Sequence, residues 1–335
     1  MPAVRSATNQ SPDDGRRWMT LPTQSARRPM IGLATPSGTS LIPMTLTVAW
    51  LRNRSDVREL VMASDSRLSA GPERWDTSPK VLTFARTDMA MSFTGTTEFT
   101  YPAMLQLNRA LETHPAMVER RFDVTQVAAL FEDILNQMVA MASTTIGESL
   151  DDTLANTRYL LGGFSWKIGE FRIWEFAWDR GERLYRKNRR RFSGARSNRH
   201  TVWFLGDGAL ASRTRLQSLL SDGFSRPPTK GLDMEPLQVL EEAISDSSLP
   251  SVGGAPQVVK LYRHLNVEPF SVIWPRNGGQ PTFAGRPLLE YEKAFSPPLS
   301  LENPDRHYRY LAGEIATDSG EESTGGSEAR AVGEG

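Results

Sequence analysis

Three side chains at the start of the chain's first patterned segment can do nucleophilic chemistry together: Thr45, Asp65 and Lys80. A threonine hydroxyl is a poor nucleophile at neutral pH and needs an adjacent base. If Thr45 is an N-terminus, its own α-amine supplies that base, because such amines titrate near pH ~8. A neighbouring lysine ammonium favours the neutral amine by like-charge repulsion, and a carboxylate holds the ammonium in place. Taken singly, each residue has an ordinary role. Thr45 fits an edge strand, Asp65 a turn that bonds its own backbone, and Lys80 a solvated strand end.

The elements that must position these residues follow from apolar patterning. Thr45–Leu51 (TLTVAWL) and Glu59–Ala63 (ELVMA) form a hairpin pattern, and Lys80–Phe84 with Met89–Thr94 form a second pair around Ala85–Asp88. With the strands antiparallel, Thr45 opens the first, Asp65 follows the end of the second and Lys80 opens the third. All three side chains then converge on one end of a sheet.

Helical spacing runs over Thr97–Leu111 and Val124–Ala142, the latter with Val127, Leu130, Phe131, Ile134, Leu135, Met138 and Met141 on one broad face. Strands are expected at Tyr159–Phe164, Phe171–Ala177 and Thr201–Leu205. The turn Gly206-Asp207-Gly208 then leads into a helix at Ala209–Leu220. Helices at Pro236–Ser245 and Gln257–His264 and strands at Phe270–Trp274 and Thr282–Ala284 close the series. This order predicts an α+β protein of layered sheets sandwiched by helices.

The ordered pieces Thr45-Leu-Thr-Val-Ala, Ala63-Ser-Asp65-Ser-Arg, Lys80-Val and Phe93-Thr-Gly95-Thr-Thr resemble proteasome β-subunits and their bacterial HslV-type relatives, which are N-terminal-nucleophile (Ntn) hydrolases. The resemblance covers about Thr45–Leu111, and in element order it continues to about Glu292. It implies a four-layer αββα sandwich in which a mature N-terminal Thr45 attacks amide bonds while Asp65 and Lys80 complete the centre. Oxyanion donors would come from backbone N–H groups in Ser92–Thr96, with Gly95 as the close-approach position.

Two departures from the family stand out. Asp207 occupies a turn where the family often carries a serine that supports the amine; its carboxylate either pairs with the ammonium form or spoils the base. Met44 occupies the place of the usual propeptide glycine. Initiation at Met44, followed by loss of that Met, would expose Thr45 directly. The resemblance further implies a peptide or amide substrate, a homo-oligomer packed through the faces of 97–142, and room for an unfoldase partner. Two alternatives stay open: a catalytically inactive binding or scaffold subunit, and an acylase acting on a small amide.

Composition narrows the field. The 335 residues are 39% hydrophobic and 23% charged with zero net charge, which gives no bulk attraction for nucleic acid or an anionic membrane. The chain lacks cysteine, so a disulfide framework, a thiolate metal site and a cysteine nucleophile are all excluded. That composition fits a cytoplasmic protein. No apolar run approaches the roughly 20 residues that cross a bilayer, and the four histidines are scattered without metal-ligand spacing. No cofactor or metal is implied.

Residues 1–44, rich in Arg, Ser, Thr and Pro, are expected to be a disordered leader, a propeptide or sequence ahead of the true start. Residues 45–292 form the expected single domain and 293–335 a polar tail. The basic run Arg186–His200 reads as a solvated loop between strands rather than a nucleic-acid surface, since only Phe192 is available for stacking.

Overall fold

The computed structural model describes residues 45–54, 57–70, 73–142, 149–190, 202–222 and 232–300. The first hairpin is β1 (Leu46–Arg54) and β2 (Val57–Ser64), followed by the short strands β3 (Leu68–Ala70) and β4 (Glu73–Trp75), then β5 (Val81–Thr83) and β6 (Met89–Thr94). Four helices come next: α1 (Thr97–Thr113), α2 (Pro115–Val118), α3 (Val124–Ala140) and α4 (Leu150–Asn156). Strands β7 (Arg158–Ser165), β8 (Glu170–Asp179), β9 (Leu184–Arg190) and β10 (Val202–Gly206) lead into helices α5 (Ala209–Asp222) and α6 (Glu235–Ser245). The described part ends with β11 (Gln257–Leu261), β12 (Val267–Ile273), β13 (Pro281–Phe283), β14 (Arg286–Pro287) and β15 (Pro298–Leu299).

Two larger sheets result. One runs β10-β1-β2-β11-β12-β13-β14, with β15 added to β12, and the other runs β5-β6-β7-β8-β9. The sequence pattern explains how they are packed. Side chains alternate across a strand, and in β1 Leu46, Val48 and Trp50 join α6 residues such as Leu237 and Leu240 in one apolar cluster. The opposite face of β1, with Ala49 and Leu51, meets Ala90 of β6 and Leu160 of β7 in a second cluster. The outward face of the other sheet carries Met91, Phe93, Tyr159 and Phe176, which pack on Met104 and Leu107 of α1 and Phe131 and Leu135 of α3. Both faces of both sheets are therefore buried, so their central strands read as near-continuous apolar runs.

The sheets lie close enough that Gly162 of β7 has no room for a side chain. A Cβ there would stand 2.9 Å from both Leu60 and Met62 of β2. Helix α3 starts where Asp123 accepts the Thr125 N–H at 2.9 Å while Gln126 accepts the Asp123 N–H, a reciprocal cap that fixes the helix's entry onto the sheet.

Three expectations need correction. Gln257–His264 is not a helix; its first part is β11, buried throughout between β2 and β12. A strand buried on both faces loses its alternation, and a short run of that kind has no period to separate it from a helix. The basic run is no loop at its start, because Arg186–Arg190 belongs to edge strand β9. There Tyr185 is buried while Lys187 donates to Glu132 of α3, so the strand carries no apolar repeat. The domain also extends beyond Glu292: β15 pairs with β12, and Leu299 is buried in the α6-side cluster. Residues 1–44, 191–201 and 301–335 lie outside the described residues, and with them the expected leader, the rest of the basic run and most of the tail.

Phe131 is the centre of the α3 packing, edge-on to Tyr159 and Phe176 with ring centroids 5.2 and 4.9 Å away. Phe131→Ala should cost about 3–5 kcal/mol of unfolding free energy in a urea titration, with the denaturant slope unchanged.

Candidate active site

Thr45 immediately precedes β1, Asp65 follows the last residue of β2, and Lys80 precedes β5. The β1–β2 register sets Thr47 opposite Ser64, which brings the start of β1 beside Asp65. The Leu46 N–H donates to Asp65 Oδ1 at 3.1 Å, and the Asp65 N–H donates to the Leu46 carbonyl at 3.2 Å. Lys80 arrives from the facing sheet and places Nζ 2.9 Å from Asp65 Oδ1, with both side chains 0% exposed. The residue after Thr45 therefore shares one carboxylate oxygen with the lysine.

The second carboxylate oxygen is also occupied. Asp65 Oδ2 accepts the Arg67 N–H at 3.1 Å and the Gly253 N–H at 3.0 Å. Three backbone donors and one ammonium thus converge on a single carboxylate; burial pushes the Asp65 carboxyl above its ordinary value, and Lys80 with the Gly253 and Leu46 N–H groups hold it down. The Lys80 ammonium is drawn below its ordinary value by burial, and the Asp65 carboxylate opposes that drift. Gln257 on β11 holds the lysine's backbone: its Oε1 accepts the Lys80 N–H at 2.9 Å, and its Nε2 donates to the Ser78 carbonyl at 2.6 Å.

Thr45 is 1% exposed. Its carbonyl accepts the Asp207 N–H at 2.9 Å across the end of the β1–β10 pair. That contact dictates Gly206, whose φ of 97° is open to glycine and whose Cβ, if present, would lie 1.7 Å from the Thr45 carbonyl oxygen. The same missing Cβ would stand 3.0 Å from Thr94 Cγ2, so the Thr94 side chain lies against this turn. Ser92 faces inward between the sheets and accepts a hydrogen bond from Thr47 Oγ1 at 2.9 Å.

Gly95 has a φ of 111°, and its tight approach is to the α4–β7 junction: a Cβ would meet Thr157 Cα at 2.6 Å and the Asn156 carbonyl at 2.9 Å. The glycine is explained by that crossing. Asp207 is half-buried, accepts a hydrogen bond from the Ser251 hydroxyl, and is pushed up by burial and by Asp65 while Ser251 and Lys80 hold it down.

Sequence reasoning missed Gln257, Ser251 and Gly253. All three come from segments more than 170 residues from Lys80 or Asp65, and only the turn-forming Ser251-Val-Gly-Gly marks the loop at all. Among the described residues no group of acidic or histidine side chains has metal-site geometry, and no helix is long and apolar enough to cross a membrane.

Fold and site together define a mixed helix-and-sheet protein with a buried lysine–carboxylate pair at the end of its central hairpin. No protein-family model matches the chain, and no curated protein matches it. Among solved structures the chain is similar to a Gly-1 mutant of Anbu from Hyphomicrobium sp. strain MC1. The alignment has 14% identity and a TM-score of 0.46, and it covers 67% of this chain and 84% of that one.

Breaking the buried pair leaves an uncompensated charge. Lys80→Met should destabilise the fold by about 3–5 kcal/mol, whereas Lys80→Met combined with Asp65→Asn should cost clearly less than the sum of the two single changes. A denaturation cycle over the four proteins checks this.

Proposed function

We propose that this chain is a proteasome-like Ntn hydrolase, a four-layer αββα sandwich that cleaves amide bonds with Thr45 as nucleophile. The observation that carries this reading is the fully buried Lys80–Asp65 pair at 2.9 Å, joined through the Leu46 N–H to the residue that follows Thr45. A buried lysine tied to one carboxylate and aimed at the start of a strand is costly as mere structure, and such groups cluster at functional sites. The three apolar clusters, one between the sheets and one outside each, support the layered architecture.

In this mechanism Thr45 becomes N-terminal by loss of an initiator Met44 or by cleavage of the 44–45 bond. Its neutral amine takes the proton from Oγ as Oγ attacks the substrate carbonyl. The Lys80 ammonium disfavours a second positive charge on the amine, and Asp65 fixes the ammonium's position. Backbone N–H groups of Ser92–Thr96 stabilise the oxyanion, and the amine then returns its proton to the leaving nitrogen. Water hydrolyses the Thr45 ester and restores the hydroxyl.

Peptides or other amides are the substrates. Self-association through α1 and α3 is supported by Leu105 on α1 and Met141 just after the end of α3, which stand 61% and 87% exposed. A non-catalytic binding or scaffold subunit is the second reading, favoured by the near-complete burial of Thr45.

The test is amidase activity against a panel of short chromogenic peptides. Thr45→Ala should lower kcat/KM by more than about 1,000-fold with the fold intact, and Thr45→Ser should retain part of the activity. Equal activity in Thr45→Ala and wild type would remove the proposal.

A further inference from the structure

Helix α6 carries a polar face that amide hydrolysis at Thr45 does not use. Leu237, Leu240 and Ile244 are buried in the apolar cluster over β1, so Gln238, Glu241, Glu242 and Ser245 share another side of the helix. With Trp274 and Arg276, which follow β12, these side chains line a groove of about 330 Å³. Its apolar wall is Trp274, which is 6% exposed and belongs to the same cluster. The groove shares no residue with the Thr45 centre.

Most of the charge around it is already spent. Glu242 pairs with Arg215 of α5 at 2.7 and 3.1 Å and also accepts the Gln238 amide at 3.3 Å. Arg276 turns its terminal nitrogens onto the end of α6, donating to the Ser245 carbonyl at 3.0 Å and the Ile244 carbonyl at 3.5 Å. Those contacts hold the two walls of the groove together. Glu241 is different. It is half-buried, and among the described residues it has no hydrogen bond or ion pair. Burial alone pushes its carboxyl up to about 8 from an ordinary 4.5.

A partnerless carboxyl beside an apolar wall is complementary to a cation carried on a hydrocarbon stem. One carboxylate neutralises one charge, and Arg215 and Arg276 flank it, so a ligand with several cations meets repulsion. A single ion pair at a half-exposed site contributes little by itself, and the remaining affinity has to come from the surface around it. That combination describes a side chain presented by a protein rather than a free amine.

We infer that this groove receives one lysine or arginine side chain from a partner protein, its stem along Trp274 and its cationic head on the Glu241 carboxylate.

The experiment is an NMR titration of the full chain, with isotope-labelled tryptophan indoles, by a blocked tripeptide that has lysine between two glycines. Trp274→Phe identifies the Trp274 signal. Below about 8 the Glu241 carboxyl holds its proton, and pairing with a cation requires that proton to leave. The Trp274 indole should therefore shift saturably, with an affinity that rises at least about tenfold from about pH 6 to about pH 8. Glu241→Gln copies the protonated acid, so it should leave the melting temperature unchanged and remove the binding. A norleucine peptide that shifts Trp274 equally, binding that survives Glu241→Gln, or an affinity that does not rise with pH overturns the inference. So does spermidine binding more tightly than the lysine peptide, or the absence of any saturable shift. Should Glu241→Gln fail to fold, the norleucine comparison and the pH series decide it.

Discussion

Lys80 and Asp65 sit 2.9 Å apart with no solvent contact, and much of the surrounding chain is arranged around the cost of placing them there. Taking two charges out of water is repaid only when geometry is good and the remaining lone pairs are satisfied. Asp65 meets that condition by accepting N–H groups from Leu46, Arg67 and Gly253, and Gln257 secures the backbone of Lys80. The three N–H donors and the Gln257 acceptor lie on β1, after β2, in the Ser251 loop and on β11, so the pair is fully satisfied only when the hairpin, the facing sheet and that loop have assembled. It functions as a check on tertiary structure as well as a candidate device for chemistry.

The packing between the two larger sheets supplies the dry setting. Apolar side chains from both sheets fill the space between them, and the Leu60 and Met62 side chains reach to 2.9 Å of where a Cβ on Gly162 would stand. At the far end of the same hairpin lies a second buried charge group, in which Glu59 meets Arg52 at 3.0 Å and Lys260 at 3.3 Å. Trp50 Nε1 there donates to the Asp233 carbonyl at 2.7 Å and ties the approach to α6 onto β1. The hairpin is thus clamped at both ends, which fixes the register that sets Thr45 beside Asp65. A slip of one residue would turn every inward side chain outward.

How far the sequence foretold this depends on which force set each element. The first hairpin, α1, α3 and the positions of Thr45, Asp65 and Lys80 at strand ends were legible, because periodic apolar spacing and turn residues are local signals. Strand β11 was not, since Gln257–Leu261 is covered on both faces and its pattern is that of any short buried run. Strand β9 was masked by its charges: at a sheet edge Lys187 bonds Glu132, and nothing apolar repeats. The Ser251–Asp207 link and the Gly253 N–H on Asp65 had no local signal, because they join residues far apart in sequence through backbone geometry. Gly95 was read as the close-approach position for an oxyanion, and the backbone that its missing Cβ accommodates, Asn156–Thr157, had no local signal.

Nucleophilic chemistry at Thr45 turns on one covalent fact, the state of the Thr45 amine in the working protein. Intact and N-terminal-peptide mass spectrometry of protein made from its natural gene start, followed by brief exposure to an amine-acylating reagent, reads it directly. The expected result is a mature chain beginning at Thr45 that takes up one acyl group at its α-amine. A stable, correctly folded chain in which Met44 remains joined to Thr45 would contradict it.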